Sequence, residues 1–181
     1  VRLVKRMDEY KEAFQKLYDG IKETPESTVI CVLGDILHNK SDLSAESVQL
    51  SSDFLKALAD LRPTILISGN HDCLLSNKNR LDSLTPIVNA LNHPNLNYLR
   101  ETGLYSMGNI LFNNMSIFDP PEKYIKWKDI PTVHKQSHDC FIALFHGPVH
   151  GTKTDLGYEI SNKSYPISLF DGHDIALLGD I

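Results

Sequence analysis

In the first half of the chain, the apolar positions follow a helical pattern and a strand pattern in turn. Between residues 6 and 22 they recur every three or four positions, as on one face of an amphipathic helix that Gly20 and Pro25 help to end. Short apolar runs predict buried strands at residues 28–33 and 64–68. A second helical pattern lies between these strands at residues 44–61, with Ser44 as its N-cap.

The second half of the chain changes to shorter strand patterns. Residues 81–91 still predict a helix, although Pro86 leaves its ends open. Strands are expected at residues 96–99, 104–106, 110–116, 140–145 and 175–178, with a hairpin turn at 107–109. Residues 118–137 are polar and contain several prolines, which predicts a loop or lid. Helices alternating with strands early and hairpins late predict one α/β (α+β, mixed-sheet) domain over residues 1–181.

Composition and charge narrow the class of protein only a little. With 41% hydrophobic and 23% charged residues, the 181-residue chain has the make-up of one globular domain. No apolar run approaches the roughly 20 residues of a membrane span, and the first residues lack a signal-peptide pattern, which predicts an intracellular protein, cytoplasmic or nuclear. Three cysteines without a Cys-x-x-Cys pair argue against a disulfide framework. The net charge of −5 does not exclude nucleic acid, because bound metal ions would add positive charge.

The candidate functional side chains all follow predicted strands. Gly69-Asn70-His71-Asp72 comes directly after residues 64–68, and Gly34-Asp35, followed by His38, comes after residues 28–33. His146 ends the strand pattern at 140–145, and Asp180 ends the one at 175–178. An Asn-His-Asp run after glycine is also typical of a simple turn. Its repetition at several strand ends favours a functional site, since ligands in α/β folds gather there.

These residue types suit two divalent metal ions and a proton donor. Asp35 is the candidate bridging carboxylate, and Asn70, His146 and Asp180 are candidate terminal ligands; such a mixed oxygen and nitrogen set suits manganese, iron or zinc. His71 is the candidate catalytic acid, with Asp72 expected to orient its ring through a hydrogen bond. His38 is expected to position substrate or metal. These roles point to metal-dependent phosphodiester hydrolysis.

The motifs also carry a resemblance to a known family. In this order, Gly34-Asp35-x-x-His38, Gly69-Asn70-His71-Asp72, His146-Gly147 and Gly179-Asp180 resemble the calcineurin-like metallophosphoesterase superfamily over essentially the whole chain. Residues 34–40, the opening helix and residues 176–180 are similar to its meiotic-recombination-eleven/SbcD branch of DNA-repair nucleases. The superfamily resemblance implies a four-layer α/β/β/α sandwich with a dimetal site at one end of two sheets.

The resemblance to the nuclease branch implies an activity and partners. It implies a DNA exonuclease/endonuclease that acts on double-strand ends in double-strand-break repair, usually with two manganese ions. It also implies a homodimer that works with an SMC-like coiled-coil ATPase of the SbcC type. Carried over by position, Asp35 bridges the metals, Asn70 and His146 bind one of them, His71 donates the proton and His38 supports the exonuclease reaction. Asp180 stands where most members have a histidine.

Two departures from the family pattern lead to a further expectation. The family begins with a strand that ends in Asp-x-His, and a second histidine follows its last motif; neither occurs within residues 1–181. The chain is therefore expected to be a fragment of the domain that lacks the first strand, and to bind metal weakly by itself.

Two alternative functions remain open at this point. The first is a metallophosphatase or small-molecule phosphodiesterase of the same superfamily, and the second is an inactive scaffold that only binds partners. His38 and the opening helix favour the nuclease over the first alternative. The pairing of His71 with Asp72 argues against the scaffold.

Overall fold

The first half of the sequence builds a parallel sheet and the second half builds a mixed one. The computed structural model describes residues 2–38, 43–77, 80–153, 157, 159–161 and 165–180. The helices are α1 (Arg2–Lys22), α2 (Ala45–Leu61), α3 (Leu84–Leu91) and α4 (Thr132–Ser137). The strands are β1 (Ile30–Leu33), β2 (Thr64–Ile67), β3 (Leu96–Tyr98), β4 (Gly103–Met107), β5 (Ile110–Met115), β6 (Cys140–His146) and β7 (Ile175–Gly179).

The two sheets differ in how their strands run. Strands β1, β2 and β3 pair in parallel in that order. In the second sheet β4 and β5 form an antiparallel hairpin, and β5, β6 and β7 pair in parallel. Met107 pairs with Ile110, so the predicted turn has Gly108 and Asn109 at its tip. The mixed α/β prediction is confirmed.

A shared apolar core joins the sheets, and further layers cover their outer faces. Between the sheets lie buried side chains of β2, β5 and β6, among them Ile65, Phe112 and Leu144. Leu55 of α2 and Leu84 of α3 pack on the outer face of the first sheet. No described helix has the length and apolarity to cross a membrane. The three cysteines are free thiols.

The outer face of the second sheet is covered by the segment that was predicted to be a loop or lid. Tyr124 and Ile130, which lie in residues 118–137, are 4% and 3% exposed, and Phe170 closes the same layer. In the described residues this layer consists of α4 and the 3-10 turns Pro121–Lys123, Trp127–Asp129 and Ile167–Phe170. The lid prediction is wrong, because a few apolar anchors dock an otherwise polar segment.

Local hydrogen bonds explain where the helices begin. The Ser44 hydroxyl accepts the Ser47 N–H at 3.1 Å, so the predicted N-cap of α2 is confirmed. Helix α3 begins at Leu84, later than predicted, because the Asp82 carboxylate accepts the N–H groups of Leu84 and Thr85. Pro86 then falls in the first turn, where a backbone N–H has no intrahelical partner.

The Asp82 carboxylate also forms a buried ion pair. Its Oδ2 lies 2.8 Å from Nε of Arg100, and the side chain of Asp82 is 0% exposed while that of Arg100 is 31% exposed. Burial alone would raise the pKa of Asp82, but hydrogen bonds from Arg100 and Thr85 outweigh it, so the pKa lies below its usual range. This depressed pKa contributes stability above the unfolded-state pKa and loses it as pH falls through the folded-state value.

Replacing Arg100 by methionine is therefore expected to destabilise the fold in a pH-dependent way. At about pH 7 the loss should be about 3 kcal/mol, because a buried carboxylate keeps its charge without its cation. The loss should shrink towards about pH 4, because Asp82 takes up a proton more readily in the variant, where its cation is missing, than in the ion pair. Urea unfolding at both pH values measures it. Lys123→Met, which removes an exposed partner of Asp119, is the control and should cost under about 1 kcal/mol. A pH-independent loss at Arg100 would contradict this account.

Candidate metal centre and active site

Three side chains from three strand ends meet at one edge of the two sheets. Asp35 follows β1, His146 is the last residue of β6, and Asp180 follows β7. In the described part of the chain, their ligand atoms lie within 4.8 Å of one another. Strands β1 and β7 belong to different sheets, so this group of side chains forms only when the two sheets pack together.

The backbone at both carboxylates is held in an uncommon conformation. Asp35 has a φ of 56° and Asp180 a φ of 67°, in the left-handed region that non-glycine residues rarely adopt. Each follows a glycine at the end of a strand. Such strain costs roughly 1–3 kcal/mol and is concentrated at functional sites, where the surrounding packing maintains it.

The His146 ring is held in the form that a metal ligand needs. Its Nδ1 lies 2.6 Å from the Leu33 carbonyl oxygen, and because that oxygen only accepts, Nδ1 carries the proton. The unprotonated Nε2 lies 3.5 Å from Oδ1 of Asp35 and is buried without a hydrogen-bond partner among the described residues. A metal-binding histidine commonly donates the N–H of its other ring nitrogen to a carbonyl oxygen, and this hydrogen bond fixes the orientation of the ring.

A second buried acceptor without a partner comes from the neighbouring loop. Oδ1 of Asn70 is buried and accepts no hydrogen bond from the described residues. Buried polar atoms in native proteins are nearly always satisfied, so the Nε2 of His146 beside Asp35 and the Oδ1 of Asn70 in the adjoining loop are suited to binding a cation. Carboxylate, imidazole and amide donors together fit manganese, iron or zinc. The residues present therefore fit the divalent metals that the sequence predicts.

Glycines at these strand ends allow the backbones to approach. A Cβ on Gly34, whose φ is 83°, would overlap the backbone of Gly69 and lie 2.8 Å from Nδ1 of His146. A Cβ on Gly69 would overlap Asp35, and one on Gly179 would overlap the Leu33 carbonyl. The glycines that precede Asp35, Asn70 and Asp180 are thus required by close packing between strands.

Gly34→Ala is expected to disrupt this edge, and Gly108→Ala provides a matched control. Both glycines have positive φ, but a Cβ on Gly108 meets no atom within 4 Å. Gly108→Ala should therefore cost about 1–2 kcal/mol from backbone strain alone. Gly34→Ala should cost at least about 2 kcal/mol more, because the overlap separates the two loops. Urea unfolding measures the difference, and equal losses would show that steric contact at Gly34 is unimportant.

The role predicted for Asp72 requires a correction. Its carboxylate is 0% exposed and accepts the N–H groups of Asp35 and Gly69 at 2.8 Å and of Leu37 at 2.9 Å. Burial raises the pKa of Asp72 although these three donors oppose the shift. Asp72 therefore fixes the two ligand-bearing loops to each other, and it does not orient the His71 ring as the sequence led us to expect.

The His71 ring is oriented by His38 instead. Nδ1 of His71 lies 3.0 Å from the His38 carbonyl oxygen, which places the ring proton on Nδ1 in the neutral form. The two imidazoles stack with centroids 5.0 Å apart and an angle of 14°. The backbone N–H of His71 also donates to Oδ1 of Asp35 at 2.9 Å. His71 is thus tied to Asp35 through its backbone, and Nδ1 is the ring nitrogen that the His38 carbonyl engages.

The structure also places residues at the site that the sequence did not single out. A cavity of about 560 Å³ is lined by Asp35, His38 and His71 together with Tyr10 and Phe14 of α1 and side chains of α2. The helical spacing of Tyr10 and Phe14 predicted only that they face inward. Their position beside the site depends on how α1 packs on α2, and the sequence gives no signal for it.

Comparisons with known proteins agree with this geometry. The calcineurin-like phosphoesterase family matches residues 7–180. The chain is 43% identical over 190 residues to uncharacterized protein R555 of Acanthamoeba polyphaga mimivirus; the match covers 100% of this chain and 14% of that relative. The chain thus spans about a seventh of the length of this curated relative. This chain belongs to the calcineurin-like phosphoesterase family, which hydrolyses phosphoesters with divalent metal ions.

Proposed function

We propose that the chain carries the catalytic site of a metal-dependent DNA nuclease that hydrolyses phosphodiester bonds with two divalent metal ions, manganese being the expected metal. One observation carries the proposal. Among the described residues, Nε2 of His146 and Oδ1 of Asn70 are buried acceptors without hydrogen-bond partners, and His146 forms a group with the carboxylates of Asp35 and Asp180. Asp35, Asn70, His146 and Asp180 would hold the metals.

The metals and the protein contribute different parts of the reaction. Bound divalent metals would lower the pKa of a water to about 7 and offset negative charge on the phosphate oxygens. Asp35 is suited to the shared position because Oδ1 lies 3.5 Å from His146 while its carboxylate also belongs to the group with Asp180. The two fixed loops keep these ligands in place, which reduces the reorganisation needed for reaction.

His71 is the group that we propose donates a proton to the leaving oxygen. The His38 carbonyl accepts a hydrogen bond from Nδ1–H, so in the doubly protonated ring Nε2 carries the proton that passes to the leaving oxygen, and the neutral ring that remains keeps its proton on Nδ1. The hydrogen bond from the His71 backbone to Asp35 keeps the ring next to the metal ligands. His38 acts through His71 as a positioning residue, and its stacked ring limits the rotation of the imidazole.

The preference for a nucleic acid over a small phosphoester is supported by the surroundings of His71. The cavity of about 560 Å³ at His71 lies within the range of pockets that bind ligands larger than a simple phosphate. The spacing of Asp35 and His38 in residues 34–40 resembles the DNA-repair branch of the family. Together these features favour phosphodiesters with a large group on the leaving side.

Replacing His71 by alanine is expected to slow cleavage of end-labelled linear duplex DNA by about a hundredfold or more, because the leaving oxygen loses its proton donor. Gel assays with manganese and the full-length protein measure cleavage. Manganese affinity should stay unchanged, since His71 is not proposed as a ligand.

His134→Ala is the matched control, because His134 lies on α4, before the other end of β6. It should cleave like the unmodified protein. Intact DNA with folded, manganese-loaded protein would refute the nuclease assignment. Hydrolysis of small phosphoesters by the same sample would then favour the metallophosphatase or small-molecule phosphodiesterase.

The proposed partners follow from the same resemblance. We propose that the protein acts on double-strand DNA ends as a homodimer with an SMC-like coiled-coil ATPase of the SbcC type, in the compartment that holds the DNA. The mimivirus relative supports the involvement of further domains, because 86% of its length lies outside the match of 14%. Copurification of the full-length protein with a coiled-coil ATPase tests this assembly, and separate elution at working concentration would contradict it.

A further inference from the structure

An aromatic groove runs between α1 and α2 and opens at the proposed proton donor. We define the aromatic groove as the cavity of about 560 Å³ that shares Asp35, His38 and His71 with the site. Its remaining described lining comes from the two helices and from the loop after β1: Tyr10, Phe14, Ile36, Leu37, Ser47, Leu50, Ser51 and Phe54. The groove is therefore continuous with the metal-ligand group.

Three aromatic rings from the two helices line the groove next to one another. Phe14 and Phe54 pack with centroids 4.3 Å apart, and Tyr10 follows Phe14 at 6.1 Å. Tyr10 is 51% exposed, so the protein core does not account for its position. The stacked imidazoles of His38 and His71 lie at the end that meets the site. Exposed aromatic faces beside a catalytic centre are typical of sites that stack planar ligands.

We propose that the aromatic groove binds the nucleobase of the nucleotide on the leaving-group side of the scissile phosphate. This inference rests on the proposed function, because the proton donor identifies the leaving oxygen. His71 belongs both to the site and to the groove, so a group attached to the leaving oxygen extends into the groove. A base there stacks on Phe14 and Tyr10.

The polar atoms of the groove agree with a base attached to an anionic backbone. Ser51 is 8% exposed and lines the groove, so its hydroxyl can bind a base edge. Among the described lining residues Asp35 is the only carboxylate, and it is proposed to bind metal. A smaller cavity of about 170 Å³ shares Tyr10, Ser47 and Leu50 with the groove and is lined further on by both Arg6 and Glu46. This continuation suits a polymer longer than one nucleotide.

Photochemical crosslinking tests the location of the base without requiring hydrolysis. The full-length protein is irradiated with a short oligodeoxynucleotide that carries one 5-iododeoxyuridine, with calcium in place of manganese, and the crosslinked peptides are identified by mass spectrometry. We expect crosslinks at Tyr10, Phe14 or Phe54. Crosslinks confined to other surfaces, such as the one around Trp127, would overturn the proposal.

Paired variants separate base binding from folding. Phe14→Leu keeps an apolar contact with Phe54 but removes the stacking face; Tyr18→Leu removes a ring that packs on the same two phenylalanines outside the groove. Phe14→Leu should weaken binding of the oligonucleotide about fivefold or more. It should leave binding of an analogue without that base unchanged, and Tyr18→Leu should change neither.

The remaining outcomes also decide the question. Equal losses on both oligonucleotides, or the same loss in Tyr18→Leu, would assign Phe14 a structural role and overturn the proposal. Light scattering could show a dimer that dissociates in Phe14→Leu. If the oligonucleotide also failed to crosslink in the groove, the groove would be assigned to a second copy of the chain. Base-specific crosslinks without DNA cleavage would support the groove while counting against the nuclease function.

Discussion

Asp35→Asn is expected to lower phosphodiester hydrolysis by about ten-thousandfold or more, the largest effect on activity that we predict. The substitution keeps the size of the side chain, and its oxygen can still accept the His71 N–H, so the loop should keep its shape. It removes the negative charge between His146 and Asp180. Manganese affinity should fall at least about a hundredfold. Mutation of a residue that only hydrogen-bonds to a metal ligand already lowers metal affinity by about 10- to 100-fold, and Asp35 is proposed to bind the metal directly.

Titration calorimetry with manganese and an assay with an aryl phosphodiester together measure this effect. Asp129→Asn is the control, since Asp129 is an exposed residue of the outer layer. It should alter neither quantity. Unchanged manganese affinity in Asp35→Asn would remove Asp35 from the metal centre, and full activity in that variant would refute the mechanism.

Asp72→Ala is expected to have the largest effect on stability. Three backbone N–H groups, two of them in buried hydrogen bonds, would lose the Asp72 carboxylate as acceptor, and each unsatisfied buried donor costs about 1–3 kcal/mol. A total of about 3 kcal/mol or more is a large share of the stability of an ordinary domain, about 5–15 kcal/mol. The variant should therefore unfold at much lower urea concentration or fail to fold.

Asp72→Asn keeps the test decisive if the alanine variant does not fold. Oδ2 of Asp72 accepts two of the N–H groups, and Oδ1 accepts that of Leu37. An asparagine can retain the first two with its oxygen but turns its NH₂ towards Leu37. We expect a loss of about 1–3 kcal/mol, smaller than for alanine. Asp129→Ala should change stability by less than about 0.5 kcal/mol. A similarly small change in both Asp72 variants would contradict the role of Asp72 as a loop clamp.

Local patterns in the sequence were sufficient for most of the secondary structure. The 3.6-residue period predicted α1 and α2, and Ser44 marked the start of α2 because a cap depends only on neighbouring residues. The start of α3 was placed too early, since it depends on the Asp82 carboxylate and its tertiary contact with Arg100. The segment 118–137 was misjudged for a similar reason, because burial of Tyr124 and Ile130 depends on the sheet beneath them.

The sequence by itself determined which residues could carry the chemistry, because glycine followed by Asp, Asn or His at the end of an apolar strand is a local pattern. It also indicated the family, which the comparisons confirm. Only the tertiary structure decided what each residue does. His71-Asp72 are adjacent in the sequence, yet one side chain is held by His38 and the other binds backbone N–H groups of two loops. Hydrogen-bond partners and the aromatic groove depend on how strands and helices distant in sequence pack together, and local sequence does not encode that packing in a readable form.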